Sequence, residues 1–589
     1  MIRDGGNPRG GHAPLPGRLR AIGAVVLLAT AACEPLADAS AYPAGWPFSP
    51  RTPAVDADSA MVATVDAHAT RVGVEVLRRG GNAVDAAVAT AFALAVVNPE
   101  AGNLGGGGFM VIRLADGSSH ALDFRERAPL AATRDMYLDE RGELTNASRR
   151  GHLAAGVPGT VMGLWEAHQR FGTVGWAELL APAIGLAGGF TVESGLARSL
   201  GRAAESLSRY PASREAFLPG GEPPAEGEIF RQPDLMRALA RIRSRGPDGF
   251  YRGETARLIV REMRRGGGII TAEDLASYTA RWREPVRVNY RGYTFHSMPP
   301  PSSGGATLAL ISNILEDHEL SRLGFHSAAG VHVLAEALRR AYADRNEYLA
   351  DPDYVELPLE RFVSEAYASE RGADISPFAA TPSSRVGPGA LLTEGTETTH
   401  LSVVDPEGNA VALTTTINSL YGSRVTVEGA GFLLNNEMDD FTARPGSPNL
   451  YGLVQGERNA IEPGKRMLSA MTPTVVEDPE GNLLMVVGSP GGSTIITTVF
   501  QVISNVLDFG MSLPQAVNAP RVHHQHLPDR IQFERGGLPP AVVDSLRAMG
   551  HEMDERRGTS GDVKAILVLP EGSLAGYADP RRGGLAAGF

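Results

Sequence analysis

The sequence predicts an α+β fold, and three observations carry that expectation. A stretch that is apolar on every side, "NAVDAAVATAFALAVVNP", lies early in the chain and predicts a helix buried in a core. From about residue 150 to 390 the texture is mostly helical, broken by polar loops such as "PGGEPPAEGE". From Thr398 onward it turns to strands, in two runs that share the turn sequence Asp-Pro-Glu-Gly-Asn.

Each element has a local reason. Asn82 is a good helix N-cap, and Asp85 falls at the third helical position, where a carboxylate favours the exposed N–H groups. Pro99 ends that helix. "FMVIRLADGSSHALDF" is two alternating runs around Asp116-Gly117, which predicts a hairpin. In "HLSVVDPEGNAVALTTTIN", Pro406 pre-sets the first turn residue and Gly408 tolerates the left-handed conformation that closes a three-residue loop with a bulge. That loop pairs Asp405 with Asn409. Counted outward, it brings Thr398 opposite Thr416, with Cβ atoms roughly 4.5–5.5 Å apart. Alternation puts Thr416 and Asn418 on one face, and a slip of one residue would undo the arrangement. "TPTVVEDPEGNLLMVVGSPGG" has a similar hairpin, and shared turn chemistry accounts for the likeness without a duplicated domain.

The chain has 589 residues, enough for several domains or one large multilayer unit. It is 43% hydrophobic and 21% charged, the composition of a globular protein. Its net charge of -12, from 55 Lys and Arg against 67 Asp and Glu, argues against a general nucleic-acid binder. A local basic pocket for an anion remains compatible with that balance.

The first residues predict export. In "GRLRAIGAVVLLATAAC", Arg18 and Arg20 precede an apolar run from Ala21 to Ala32 that is short for a bilayer and suits a signal peptide over residues 1–33. Cys33 is the only cysteine, so no internal disulfide is possible. Its place after "TAA" resembles a lipoprotein signal, with Cys33 as the lipidation candidate; ordinary secretory cleavage nearby is the other reading. Either reading predicts a periplasmic or extracellular protein. Residues 34–55, rich in Pro and Ala, read as a tether. No later segment reads as a membrane span.

"TETTHLSVVD" places a threonine pair at the start of a strand. A threonine hydroxyl is a weak nucleophile until a base sits beside it, and the α-amine of the same residue is one such base. That chemistry requires Thr398 to become an N-terminus through cleavage of the chain.

At this point several long motifs converge on one family. "TTHLSVVDPEGNAVALTTTINSLYGS", "GFLLNNEMDDF", "RPGSPNLYGLV" and "GSPGGS" resemble the small subunit of the γ-glutamyltranspeptidases. "MVATVDAHATRVGVEVLRRGGNAVDAAVATAFALAVVNPEAGNLGGGGFMVIRLADG" and "LDFRERAP" resemble the large subunit, and "GYADPRRGG" fits the ending. The likeness runs from about residue 55 to the C-terminus.

The resemblance implies the N-terminal nucleophile hydrolase fold, a four-layer αββα sandwich. It implies a precursor that cuts its own Glu397–Thr398 bond into a large subunit, residues 56–397, and a small catalytic subunit, residues 398–589, which form a heterodimer. It implies no cofactor and no catalytic metal. The substrates would be glutathione or other γ-glutamyl compounds. Thr398 would take the γ-glutamyl group as an ester and pass it to water or to an amino-acid or peptide amine. Thr416 would orient the nucleophile, and the N–H groups of Gly491 and Gly492 would hold the oxyanion. Arg125 would clamp the substrate α-carboxylate with help from Ser469. Asn418, Glu437 and Asp440 would hold its ammonium, and Tyr451 would close over the bound substrate.

One position departs from the family pattern. Where two serines usually precede Met, this chain has "LSAM", Ser469 followed by Ala470. The loss of a hydroxyl suggests weaker γ-glutamyl binding or a different acyl group. Two alternatives follow: an acylase of the same fold acting on glutaryl or cephalosporin side chains, or an uncleaved surface lipoprotein that binds γ-glutamyl compounds without turnover.

Other motifs have plainer readings. "GNLGGGGF" lacks the Lys-Ser/Thr of a phosphate-binding loop, so close backbone packing is expected of it. His523, His524 and His526 in "RVHHQHLPD" do not match a zinc spacing. Arg127 is a less favoured carboxylate clamp than Arg125. His400 is read as structural, with the α-amine preferred as the base.

Overall fold

The computed structural model describes residues 42–43, 45–48, 52–387, 398–444 and 456–589. Two seven-stranded sheets form its centre. In the first, strands run in the order Leu585–Gly588, Met61–Thr64, Thr399–Val404, Ala410–Thr416, Gly107–Arg113, Ser119–Phe124, Arg281–Arg283. In the second, the order is Val55–Ala57, Leu574–Ala578, Lys564–Val568, Leu483–Gly488, Thr474–Glu477, Tyr293–Ser297, Val286–Tyr290. Every pairing in both sheets is antiparallel.

Alternation along the strands builds the layers. Leu401, Val403, Val411 and Leu413 point from the first sheet into a core shared with helices Ala67–Arg78, Ala83–Val97 and Thr160–Phe171. Val404, Ala410, Ala412, Phe109 and Val111 point the other way and meet Val475, Met485 and Ile566 of the second sheet. That second core continues onto helices Gly304–Glu316 and Thr494–Leu507. The result is helix, sheet, sheet, helix, the four-layer αββα sandwich.

The local expectations for the early chain hold. Asn82 and Asp85 form a reciprocal capping box, and every residue of the helix Ala83–Val97 is buried. The hairpin around Asp116-Gly117 joins Gly107–Arg113 to Ser119–Phe124. In the key hairpin the Asp405 N–H donates to Asn409 O at 3.1 Å, and Gly408 has φ +87°. Thr399 pairs with Thr415, which carries Thr398 to the position opposite Thr416.

Two stretches differ from expectation. The region expected to be mostly helical contains strands Arg281–Arg283, Val286–Tyr290 and Tyr293–Ser297. The last two are joined at Arg291 and Gly292, both with positive φ. Such a two-residue turn normally advertises itself by Asn-Gly or Asp-Gly, and Arg in the first position hides it. The stretch read as a tether is docked where it is described. Trp46 is buried and its Nε1–H donates to Asn518 O at 2.8 Å, while the Arg581 guanidinium lies over the Trp46 and Phe48 rings. Aromatic burial outweighs the extended preference of the flanking prolines.

Candidate active site

The hairpin ends at the edge of the interface between the sheets. Thr398, His400 and Ser402 share the face turned toward the second sheet, as do Thr414 and Thr416. His400 is fully enclosed there: Nδ1 bonds Thr414 Oγ1 at 2.8 Å and Nε2 bonds Ser402 Oγ at 3.1 Å. Burial, with a smaller contribution from Lys564, pushes its pKa down to about 3. A neutral imidazole with both nitrogens engaged fits the structural reading of His400.

Thr398, Thr416, Asn418, Arg125, Glu437, Asp440, Ser469 and Gly492 line one pocket. Thr416 Oγ1 accepts the Asn418 N–H at 2.7 Å, and Asn418 stands in the left-handed region with φ +72°. This turns the Asn418 side chain onto Asn436 O at 2.9 Å. Close backbone approach is the role of the glycine run: a Cβ on Gly106 would lie 2.1 Å from Thr416 O.

Gly491 and Gly492, with φ +140° and +56°, stand just ahead of the helix Thr494–Leu507. Their carbonyls accept the Thr494 and Ile495 N–H groups at 3.1 Å each. Gly492, Ser493 and Ile495 line the pocket, so the positive end of that helix borders it, a place that favours developing negative charge. Ser493 continues the wall; its hydroxyl donates to Gln525 Oε1 at 2.8 Å and its carbonyl accepts the Tyr342 hydroxyl.

The charged groups meet one another in the pocket. Arg125 Nη1 is 2.6 Å from Glu437 Oε2, Nη2 is 2.5 Å from Asp440 Oδ2, and Glu126 lies 3.6 Å away. Burial disfavours all these charges. It raises Glu437 well above the usual range and Asp440 to about 6, with Arg125 pulling both back toward ionisation. Glu126, also lifted by burial, reaches about 8. Arg125 works against its own burial and ends above its ordinary value because Glu437, Asp440 and Glu126 surround it. Arg125 Nε and Nη2 also donate to Met467 O and Leu468 O, each at 3.3 Å. Arg127 points elsewhere, bonding Ser277 O and lying over the Tyr278 ring.

Ser469 lines the pocket, and its Oγ accepts the Met471 N–H at 3.2 Å. Ala470 lines the same wall without a hydroxyl. Glu397, Tyr451 and Cys33 lie outside the described residues.

Several site residues carried no local signal. Arg345, on the helix Ala328–Tyr348, lines the pocket. Ser303 grips Ser469 from the loop before Gly304–Glu316. Asn459 ties Asp440 O, at 2.7 Å, to the Leu468 N–H, at 3.0 Å. "PPPSSGG" was the one visible hint, a turn cluster dense in hydroxyls.

The three C-terminal histidines serve separate bonds. His523 bonds Thr497 Oγ1 and Gln525 Oε1, His524 Nδ1 accepts the His526 N–H, and His526 Nε2 bonds Ser383 O. Among the described residues, ligand atoms of His332, Glu336 and His551 lie within 4.8 Å of one another. Arg339 and Arg340 already engage the Glu336 carboxylate, at 3.3 and 2.6 Å, and their charge opposes a dication there.

Comparison with known proteins agrees with this geometry. The family model for gamma-glutamyltranspeptidase matches residues 69–589. The glutathione hydrolase proenzyme of Escherichia coli (strain K12) is 48% identical over 531 residues, covering 90% of this chain and 91% of that protein. The acylase ACY 1 proenzyme of Pseudomonas sp. (strain V22) is 39% identical over 526 residues, covering 88% and 91%. The crystal structure of a cephalosporin acylase from Bacillus halodurans superposes with a TM-score of 0.80 at 29% identity, covering 93% of this chain and 99% of that one. The match across most of the chain, on a fold that brings the motif residues into one pocket, shows that this chain belongs to the γ-glutamyltranspeptidase family.

Proposed function

We propose that Thr398 is the nucleophile of a self-processing γ-glutamyltranspeptidase and glutathione hydrolase. The observation that carries this is the convergence of Thr398, Thr416, Arg125, Glu437, Asp440 and Ser469 on one pocket beside Gly492.

Maturation comes first. The Thr398 hydroxyl attacks the Glu397 carbonyl, the peptide bond shifts to an ester, and water opens the ester. Two subunits result, and Thr398 gains a free α-amine. With an unperturbed pKa of about 7.7–8.0, that amine is partly neutral near pH 7 and suited to general base work.

In turnover the α-amine takes the Thr398 hydroxyl proton as Oγ attacks the γ-carbonyl of the substrate. The oxyanion forms against the N–H groups of Gly491 and Gly492. The ammonium returns its proton to the departing amine as the C–N bond breaks. A γ-glutamyl ester stays on Thr398, and water or an acceptor amine, deprotonated by the same α-amine, releases it. Arg125 and Ser469 hold the substrate α-carboxylate; Asn418, Glu437 and Asp440 hold its ammonium. Tyr451 closes the pocket.

Export with removal of the N-terminal signal is the proposed route out of the cytoplasm, with Cys33 either kept as a lipidated N-terminus or discarded by secretory cleavage beyond it. Among the described residues, no helix is long and apolar enough to cross a membrane.

The test is intact mass under denaturing conditions, paired with γ-glutamyl anilide turnover. Active protein should separate into two chains, one starting at Thr398. Thr398→Ala should stay uncut and lose activity by more than about 1,000-fold. Equal turnover by an intact Thr398→Ala chain would sink the reading.

A further inference from the structure

We propose that Ser303 and Arg345 are positioning residues that aim the Ser469 hydroxyl at the substrate carboxylate. The proposal rests on the reading of Ser469 given above and adds the groups that make Ser469 competent.

The directions of the hydrogen bonds follow from donor chemistry. Arg345 Nε lies 2.8 Å from Ser303 Oγ, and a guanidinium N–H can only donate. Ser303 therefore uses its single hydroxyl proton elsewhere, and Ser469 O is 2.6 Å away. The Ser303 backbone N–H donates to the same carbonyl at 2.7 Å, and the Ser469 N–H donates to Pro301 O at 2.9 Å. Ser469 is thus held at both its backbone groups by residues 301–303. Its Oγ accepts the Met471 N–H, which leaves its own proton to donate into the pocket.

The grip is part of a larger one. Three successive carbonyls are each held: Met467 and Leu468 by Arg125, and Ser469 by Ser303 under Arg345. The guanidinium that clamps the carboxylate and the hydroxyl that assists it are thereby fixed on one segment. Arg345 is itself buried, held by Ser303 and by Asn346 Oδ1 at 2.8 Å. Burying a guanidinium is costly without such bonds. With Ala470 next in the chain, Ser469 supplies the one serine hydroxyl of "LSAM", so its orientation bears on binding more than it would beside a second serine.

The experiment is a double-mutant cycle read on two substrates. γ-Glutamyl anilide carries the carboxylate; 4-aminobutyryl anilide keeps the amine and lacks the carboxylate. Ser303→Ala should raise KM for the first by about 10-fold, with kcat within about threefold, and leave KM for the second unchanged. Ser303→Thr should restore most of the loss. Arg345→Lys, which keeps the Ser303 hydroxyl and removes its Nε donor, should move KM in the same sense; it also serves if Ser303→Ala fails to mature. In a Ser469→Ala background, Ser303→Ala should add less than about twofold. An equal KM increase with and without Ser469, or an equal loss on both substrates, would overturn the proposal. Ser469→Ala leaving KM unchanged would instead remove the reading of Ser469 beneath it.

Discussion

The Arg125 guanidinium and the Glu437 carboxylate lie 2.6 Å apart, and both are fully buried. Asp440 completes the cluster on the other guanidinium nitrogen. The groups proposed to hold opposite ends of one substrate are therefore bound to each other. A substrate bringing an α-carboxylate and an α-ammonium together matches that cluster in charge, and neither charge needs to be buried alone. A substrate with one of the two charges leaves a member of the cluster unmatched.

That relationship sets a pH dependence. Burial lifts Asp440 to about 6, so below that pH it takes a proton and loses the charge that faces the ammonium. The kcat/KM of γ-glutamyl anilide divided by that of glutaryl anilide should fall as the pH drops below about 6, by at most about tenfold per pH unit. Taking the ratio cancels the titration of the Thr398 amine, which both substrates share. A flat ratio between about pH 4.5 and 7 would exclude Asp440 from ammonium binding.

Gly491 has φ +140°, and a Cβ there would lie 2.6 Å from Thr494 Oγ1. Gly491→Ala should displace the oxyanion donors and lower kcat about 100–1,000-fold, with KM changed far less. Steady-state kinetics on matured, folded protein checks this. A kcat within a few-fold of the parent would mean that the donors lie elsewhere.

Ala470→Ser restores the hydroxyl that the family pattern has beside Ser469. A hydrogen bond to a charged group is worth about 1.5–3 kcal/mol, so KM for γ-glutamyl anilide should fall by about 10-fold or more. 4-Aminobutyryl anilide, lacking the carboxylate, should be indifferent. Equal gains on both substrates would point to packing rather than carboxylate recognition.

His400 makes a prediction about stability. Its folded pKa, near 3, lies below the unfolded value of about 6.5, so between those values the unfolded chain binds a proton that the fold refuses. Its stabilising contribution is complete above about pH 6.5 and declines on acidification. Unfolding free energies from urea titrations of the parent and of His400→Gln should therefore converge between about pH 6.5 and 4, at up to about 1.4 kcal/mol per pH unit. A difference independent of pH would mean that His400 is charged in the fold.

Much of the key hairpin was legible because its causes are local. Pro406 and Gly408 select one loop length, that loop selects one register, and a period of two decides which side chains share a face. The hairpin Val286–Tyr290 to Tyr293–Ser297 was missed for the same kind of reason, since its turn at Arg291-Gly292 lacks the usual Asn or Asp. The candidate residues on "DFRE", "NNEMDDF" and "LSAM" were found through resemblance, because spacing along a chain does not specify a pocket built from distant segments.

By itself, then, the sequence determined the buried helix behind Asn82, the Thr398–Thr416 register and the family to which the chain belongs. Tertiary structure decided that Arg125 meets Glu437 and Asp440, that Asn459 links Asp440 to Leu468, and that Arg345 reaches Ser469 through Ser303. Arg345 and Ser303 lie 42 residues apart, and Ser303 and Ser469 lie 166 apart. Turn chemistry and side-chain periodicity act over a few residues. Contacts across such separations arise only when two sheets stack and bury their facing sides.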